Sequence, residues 1–357
     1  MPIHLRKSIA FPFSHGQKRD GNGAYTANRS TLCYLRVSAR HRLPHVEQAS
    51  TAFEGLLEMK LILNDEVANA LNKNLPVVAL ESTVIAHGLP YPQNLKTALK
   101  LEQIVRENGA VPATIAVFDG QIFIGLHNQQ IEKLATDKNI RKVSRRDLPI
   151  AIANKLNCAT TVATTAFFAH HAGIKVFATG GIGGVHRGYS QDISADLPEL
   201  AQTPVIVVCS GAKIVLDLPA TREWLETYGV TVLGWQCDEM PGFYSRTSGL
   251  ALDERVESAD EVARIAKARD DLHLKNSILV TVPVPEEFEI ERLELENILS
   301  EALKLADGQN VTGKEITPFL LGQMSERSGG RTLAANIALL ENNARIASQV
   351  STCRNNS

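Results

Sequence analysis

Apolar residues recur along this chain in two rhythms. Short runs in which every residue is apolar, such as Pro76-Val-Val-Ala-Leu80, alternate with longer stretches where apolar residues return every three or four positions. The first rhythm marks a strand buried on both faces, the second a helix with one face against a core. Asn64 is placed to cap a helix over 64–72, and Asn94 a second that runs through Ala98, Leu101, Ile104 and Val105 and stops at Gly109. Thr114–Phe118 and Gln121–Ile124 flank Asp119-Gly120, the dipeptide favoured in a two-residue hairpin turn. Further strands are expected at Ile174–Ala178, Pro204–Cys209, Val230–Leu233 and Ile278–Val282, with helices near 147–156, 160–172, 221–228 and 259–268. The C-terminal third reads as helices, Ile290–Ala306, Pro318–Arg327 and Leu333–Ser348, the last two parted by Gly329-Gly330. The alternation predicts an α/β fold: three layers, α/β/α, around a mainly parallel sheet, with a helical C-terminal third.

Composition narrows this picture little, but charge distribution changes it. Residues 1–50 hold eight lysines and arginines against two acids, leaving 29 basic and 37 acidic residues in the remainder. The acidic body argues against nucleic acid as a partner, and no apolar run is long enough to span a bilayer. We therefore divide the chain into a basic N-terminal extension, 1–58, expected to be disordered, and a folded domain, 59–357. The extension lacks a secretory apolar core; a transit-like leader, an inert tail or a start set upstream of Met59 all fit it. The expected location is cytoplasmic, or organellar if the extension is a transit peptide. Five cysteines without a C-x-x-C pair suggest a reducing compartment and no zinc site.

In such a fold chemistry gathers in the loops at the carboxyl ends of strands. Glu81 directly follows Val77–Leu80, where a carboxylate either caps the next segment or serves as a general acid or base. Lys213 follows the run Pro204–Cys209 through the small residues Ser210, Gly211 and Ala212; it either reaches solvent or, if deprotonated, attacks a carbonyl carbon. Lys142-Val-Ser-Arg-Arg-Asp-Leu-Pro149 gathers three cations beside a serine, suited to a phosphate or to a solvated helix start. Thr179-Gly-Gly-Ile-Gly-Gly-Val-His-Arg-Gly188 follows another strand, yet fails both nucleotide templates: His186 stands where G-x-G-x-x-G needs its last glycine, and Tyr189 where a P-loop needs lysine. Beyond it, Asp192 and Asp196 would share a face if their segment were helical, offering oxygen ligands to Mg²⁺ or Mn²⁺, or caps to the following helix.

Taken together and in order, these stretches resemble one family. Pro76-Val-Val-Ala-Leu-Glu-Ser-Thr-Val-Ile-Ala-His-Gly88, Gly109-Ala-Val-Pro-Ala-Thr-Ile-Ala116, Lys142–Pro149, Lys175–Gly188, Asp192-Ile-Ser-Ala-Asp-Leu197, Gly211-Ala-Lys213 and Gly313-Lys-Glu-Ile-Thr-Pro-Phe-Leu-Leu321 resemble the pseudouridine-5′-phosphate glycosidases, also called the indigoidine synthase A-like family. The resemblance runs from about Ile62 to Ser348. It implies reversible cleavage of the carbon–carbon glycosidic bond of pseudouridine 5′-phosphate to uracil and ribose 5-phosphate. It further implies Lys213 as nucleophile, Glu81 as proton donor and acceptor, and Asp192 as the holder of one divalent ion, Mn²⁺ or Mg²⁺. Lys142, Val162, Ser194, Ala195 and Asp196 would contact substrate, with His186 beside the sugar phosphate and Asn336 at the uracil edge, in a homotrimer. The alternative is a Schiff-base lyase of aldolase type acting on another sugar phosphate. The chain departs from the family pattern at Val282, where asparagine is common, and at Ser210 and Ile214, where alanine and serine are usual.

Overall fold

The structure, a computed structural model, describes residues 59–188, 191–311, 313 and 316–355; the extension 1–58 lies outside them. The strands in chain order are β1 (Leu61–Leu63), β2 (Val77–Leu80), β3 (Val111–Phe118), β4 (Gln121–Ile124), β5 (Arg141–Val143), β6 (Cys158–Thr160), β7 (Val176–Ala178), β8 (Val185–His186), β9 (Ile206–Cys209), β10 (Leu216–Asp217), β11 (Thr231–Trp235), β12 (Glu254–Val256) and β13 (Ile278–Thr281). Among the described residues, eleven of them form one sheet in the order β1-β4-β3-β2-β7-β9-β13-β11-β12, with β6 also on β3 and β5 on β6. Within it β3 runs antiparallel to β4 and β6, and the other pairs are parallel. The expected mainly parallel sheet with helices on its faces is what forms.

The apolar runs explain its centre. β2, β7, β9 and β13 are buried at every residue, as strands covered on both faces must be. One covering element is the C-terminal helix Arg331–Asn355, which packs on β2, β7 and β9 through residues including Leu339, Leu340 and Ala344. Because β2, β7, β9 and β13 are successive neighbours, Glu81, Thr179, Ser210 and Val282 emerge side by side along one edge. The hairpin forms as expected: Asp119 and Gly120 have φ of 50° and 72°, the two left-handed central residues of a primed turn. A Cβ on Gly120 would also stand 2.6 Å from the Ile152 carbonyl oxygen.

Several boundaries differ from the sequence expectation. Asn64 caps its helix, accepting the Val67 amide at 2.8 Å. Asn94 does not cap; it is buried inside the helix Gln93–Glu107 and donates to the carbonyls of Ile85 and Ala135 at 2.9 and 3.0 Å. The stretch expected as helix from 160 begins instead with β6, after which Thr161 caps the helix Val162–His171. The next expected helix begins at Leu218 rather than 221, capped by Asp217. The helix expected over 147–156 is Leu148–Ala153, ended by Lys155 at φ 51°.

Candidate active site

A cavity of about 490 Å³ opens at the carboxyl ends of β2, β7 and β9. Glu81, Lys142, Val162, His186, Asp192, Ser194, Ala195, Asp196, Lys213 and Asn336, singled out over some 250 positions of sequence, all line it.

Glu81 leaves β2 and is buried. Its Oε1 accepts the hydroxyl hydrogen of Thr179, at the end of β7. Burial raises the Glu81 pKa, opposed first by the charge of Lys213 and then by the Thr179 hydrogen bond; Asp196 adds to the rise and Lys142 opposes it. A carboxyl shifted toward neutrality is suited to hand over and take back a proton. Lys213 leaves β9 through a turn at Gly211, whose φ is 81° and whose added Cβ would lie 2.4 Å from the Pro241 carbonyl oxygen. Its backbone amide donates to Ile182 O at 3.1 Å and its Nζ to Gly181 O at 2.8 Å.

The glycine-rich stretch is held by side chains rather than by helix. Asp196 begins the short helix Asp196–Leu200, and 192–195 are not helical, so Asp192 and Asp196 do not share a helix face. Asp196 Oδ2 instead accepts the Gly183 amide at 2.8 Å and Oδ1 the Ala163 amide at 2.9 Å, tying the loop to the start of helix Val162–His171. His186 lies on β8, which pairs with β10 beside Lys213, and its amide donates to Asp192 O at 2.9 Å. Arg187 does not line the cavity; it is exposed and donates to Ile214 O at 3.4 Å.

The basic cluster divides in two. Lys142, Ser144 and Arg146 line the cavity. Arg145 turns away, pairing with buried Glu199 at 3.2 Å and lying 4.5 Å over the Phe167 ring. Asp147 accepts the Ser144 amide at 2.9 Å and stands 3.8 Å from Arg141.

Sequence reasoning missed further lining residues. Thr83 and His87 lie within the stretch Pro76–Gly88. Phe243, Leu321 and Leu340 line the apolar side; Phe243, at φ 69°, sits in a segment without hydrophobic periodicity that could have marked it. Among the described residues no three His, Cys, Asp or Glu side chains gather to hold a metal. Asp192 is exposed at the cavity, while both Asp196 oxygens are taken by amides. One carboxylate suits a hard ion that keeps most of its waters, Mg²⁺ or Mn²⁺, and not tetrahedral zinc.

The chain is similar to known proteins in both sequence and fold. The model of the family described as indigoidine synthase A like protein matches residues 66–353. A pseudouridine-5′-phosphate glycosidase of Caldanaerobacter subterraneus subsp. tengcongensis is 54% identical over 290 residues, 81% of this chain and 94% of the relative. One from Geobacillus kaustophilus is 52% identical, covering 81% and 97%. Among solved structures, an indigoidine synthase A-like protein from Thermotoga maritima superposes with a TM-score of 0.76 at 35% identity, covering 89% of this chain and 99% of that one. A prealnumycin C-glycosynthase in complex with ribulose 5-phosphate gives 0.77 at 38% identity, covering 83% and 97%.

Proposed function

The chain belongs to the indigoidine synthase A-like family, and from that membership we propose that it reversibly cleaves the C–C glycosidic bond of pseudouridine 5′-phosphate to uracil and ribose 5-phosphate. The observation that carries this reading is the meeting of Glu81 and Lys213 on one cavity, each bonded to the same Thr179–Gly181 segment. A C-glycoside has no leaving oxygen or nitrogen to protonate, so the usual two-carboxylate route does not serve. A lysine amine supplies an alternative. The Nζ of Lys213 bonds to C1′ as the C1′–O4′ bond opens and O4′ takes up a proton. The nitrogen lone pair then forms an imine with C1′ as the bond to uracil C5 breaks, and Glu81 delivers a proton to C5. Water adds to the imine and releases ribose 5-phosphate and free Lys213, so that one water is consumed per turnover.

Lys142, Ser144 and Arg146, with Val162 beside them, form the phosphate end, where charge-assisted bonds favour an anion. Ser194, Ala195 and His186 close over the sugar; the carboxylate of Asp196 holds their loop. Asn336, with Phe243 and Leu340, faces the base. Asp192 would hold a divalent ion, Mn²⁺ or Mg²⁺, which supplies positive charge near the substrate's oxygens when bound. The family resemblance further supports a homotrimer acting in the cytoplasm; light scattering on the purified protein checks the assembly. Among the described residues no helix is long and apolar enough to cross a membrane.

Incubation of the protein with pseudouridine 5′-phosphate and Mn²⁺, followed by chromatography, tests the reading. Uracil and ribose 5-phosphate in equal amounts are expected, and the reverse mixture should yield pseudouridine 5′-phosphate. No release of uracil would overturn it, and turnover of another sugar phosphate without any need for uracil would favour the aldolase-type alternative.

A further inference from the structure

Asn343 has no part in lining the cavity and is fully buried in the C-terminal helix, 0% exposed, among apolar neighbours. A carboxamide in such a place is costly unless bonded. Its Nδ2 lies 2.9 Å from Thr179 O, 3.4 Å from Gly180 O and 3.1 Å from Ser210 Oγ, and Ser210 Oγ lies 3.4 Å from its Oδ1. It thus joins the ends of β7 and β9 from a third element. The ladder between them runs on past the strands, with Thr179 N on Val208 O at 3.0 Å and Ser210 N on Gly180 O at 2.8 Å. Packing holds the same segment. A Cβ on Gly180 would lie 3.2 Å from Leu340 and 3.3 Å from Leu339, and one on Gly181 would lie 2.7 Å from Phe243.

The held tripeptide is hydrogen-bonded to both reacting groups. The Thr179 side chain donates to Glu81, and the Gly181 carbonyl accepts from Lys213 Nζ at 2.8 Å. We propose that Asn343 is a positioning residue for the reaction: by fixing the Thr179 and Gly180 carbonyls it sets the orientation of Glu81 and Lys213 together. This rests on the roles given above to those two residues. Ser210 gives Asn343 an additional partner at the end of β9.

Three variants test the idea: Asn343→Leu, which keeps the bulk and removes the bonds, and Thr179→Val beside Thr179→Ser, which remove and keep the hydroxyl. Loss of positioning is expected to lower kcat on pseudouridine 5′-phosphate by about tenfold to a hundredfold, with KM changed less than about threefold because the phosphate and base contacts remain. The Thr179 bond stabilises the Glu81 carboxylate against its burial, while Lys213, Lys142 and Asp196 act on the same group through charge. Losing the bond should therefore move the Glu81 limb of the kcat–pH profile to higher pH in Asn343→Leu and Thr179→Val, with Thr179→Ser near wild type. The same upward move is read independently of turnover by NMR of carboxyl-labelled glutamate, the Glu81 signal assigned by its loss in Glu81→Gln. If wild type fails to turn over this substrate, the functional reading falls and the NMR titration still decides the positioning role. An unmoved Glu81 titration and an unchanged kcat in Asn343→Leu would overturn the proposal; should that variant not fold, an unmoved titration in Thr179→Val would do so.

Discussion

Asp196 accepts the backbone amide of Gly183 at 2.8 Å, closing the glycine-rich stretch against the start of a helix that follows it. The contact needs glycine because a Cβ at 183 would stand 2.1 Å from Ser194 Oγ, 2.6 Å from Ser194 Cβ and 2.7 Å from Asp196 Oδ2. Gly183→Ala is thus expected to displace Ser194 and Asp196, which line the cavity. We expect a stability loss of about 1–3 kcal/mol and, from misplacement of the loop, a fall in kcat/KM of about a hundredfold or more. Thermal melting and steady-state kinetics on the same preparation check both; a fully active Gly183→Ala would show that the loop does not shape the site.

Lys213→Ala removes the amine that the proposed reaction passes through. Turnover should fall by about four orders of magnitude or more. Affinity for ribose 5-phosphate should change little, since Lys142, Ser144 and Arg146, which line the cavity and are the proposed phosphate contacts, are unaltered. Calorimetry with ribose 5-phosphate separates the two effects. Borohydride should trap a sugar adduct on the wild type and none on the variant.

The fold's centre could be read from the chain because β2, β7 and β9 are continuous apolar runs, and β13 is one up to its last residue, Thr281, so that their identity does not depend on their neighbours. Glu81 and Lys213 were visible for the same reason, as polar residues just beyond such runs. β1, β5 and β12 are only three residues each, and their pairing is supplied by the strands beside them, which a local pattern does not contain. Asn94 and Asn343 show a second limit. One resembled a cap and the other an ordinary helical residue, whereas each is buried and bonded to distant carbonyls, Ala135 in one case and Thr179 in the other. The division of labour between Arg145 and Arg146 was equally hidden, because Glu199 lies 54 residues away from Arg145 in the chain.

Glu81 should weaken the fold near neutral pH. Burial raises its pKa above the ordinary 4.5, so the folded state holds the proton more tightly than the unfolded state. Stability therefore declines as pH rises from the ordinary value toward the raised one, and the full penalty stands above it. Glu81→Gln keeps an oxygen to accept the Thr179 hydroxyl and never ionises. It is expected to be more stable by about 1 kcal/mol at neutral pH, inactive in proton transfer, and no more stable than wild type below pH 4.5. Melting curves across that range check the sign; an advantage that grew as the pH fell would contradict it.

Asp192 is the exposed carboxylate at the cavity, beside Asp196 whose oxygens are already bonded. Protein stripped with a chelator should regain activity on titration with Mn²⁺. Asp192→Ala should need at least about tenfold more of the ion, with an unchanged melting temperature in the absence of metal. An identical Mn²⁺ titration in the variant would remove Asp192 from the metal site.

Adjacent arginines should give opposite phenotypes. Arg146 is exposed and lines the cavity beside Lys142, so Arg146→Ala should raise KM for the phosphorylated substrate by about tenfold, as loss of one charge-assisted bond to phosphate implies, and leave melting nearly unchanged. Arg145 faces the other way. Its partner Glu199 has a side chain only 2% exposed, and removing the guanidinium leaves that carboxylate bonded to Thr203 without its cation. The packing of Arg145 over Phe167 goes with it. Since Arg145 is itself 45% exposed, water replaces part of what is lost, and the expected cost is about 1–3 kcal/mol rather than that of a fully buried pair. Arg145→Ala should therefore melt earlier while its KM stays close to wild type. Measured side by side, a KM effect at 145 or a stability effect at 146 would reverse the assignment of which cation meets the phosphate.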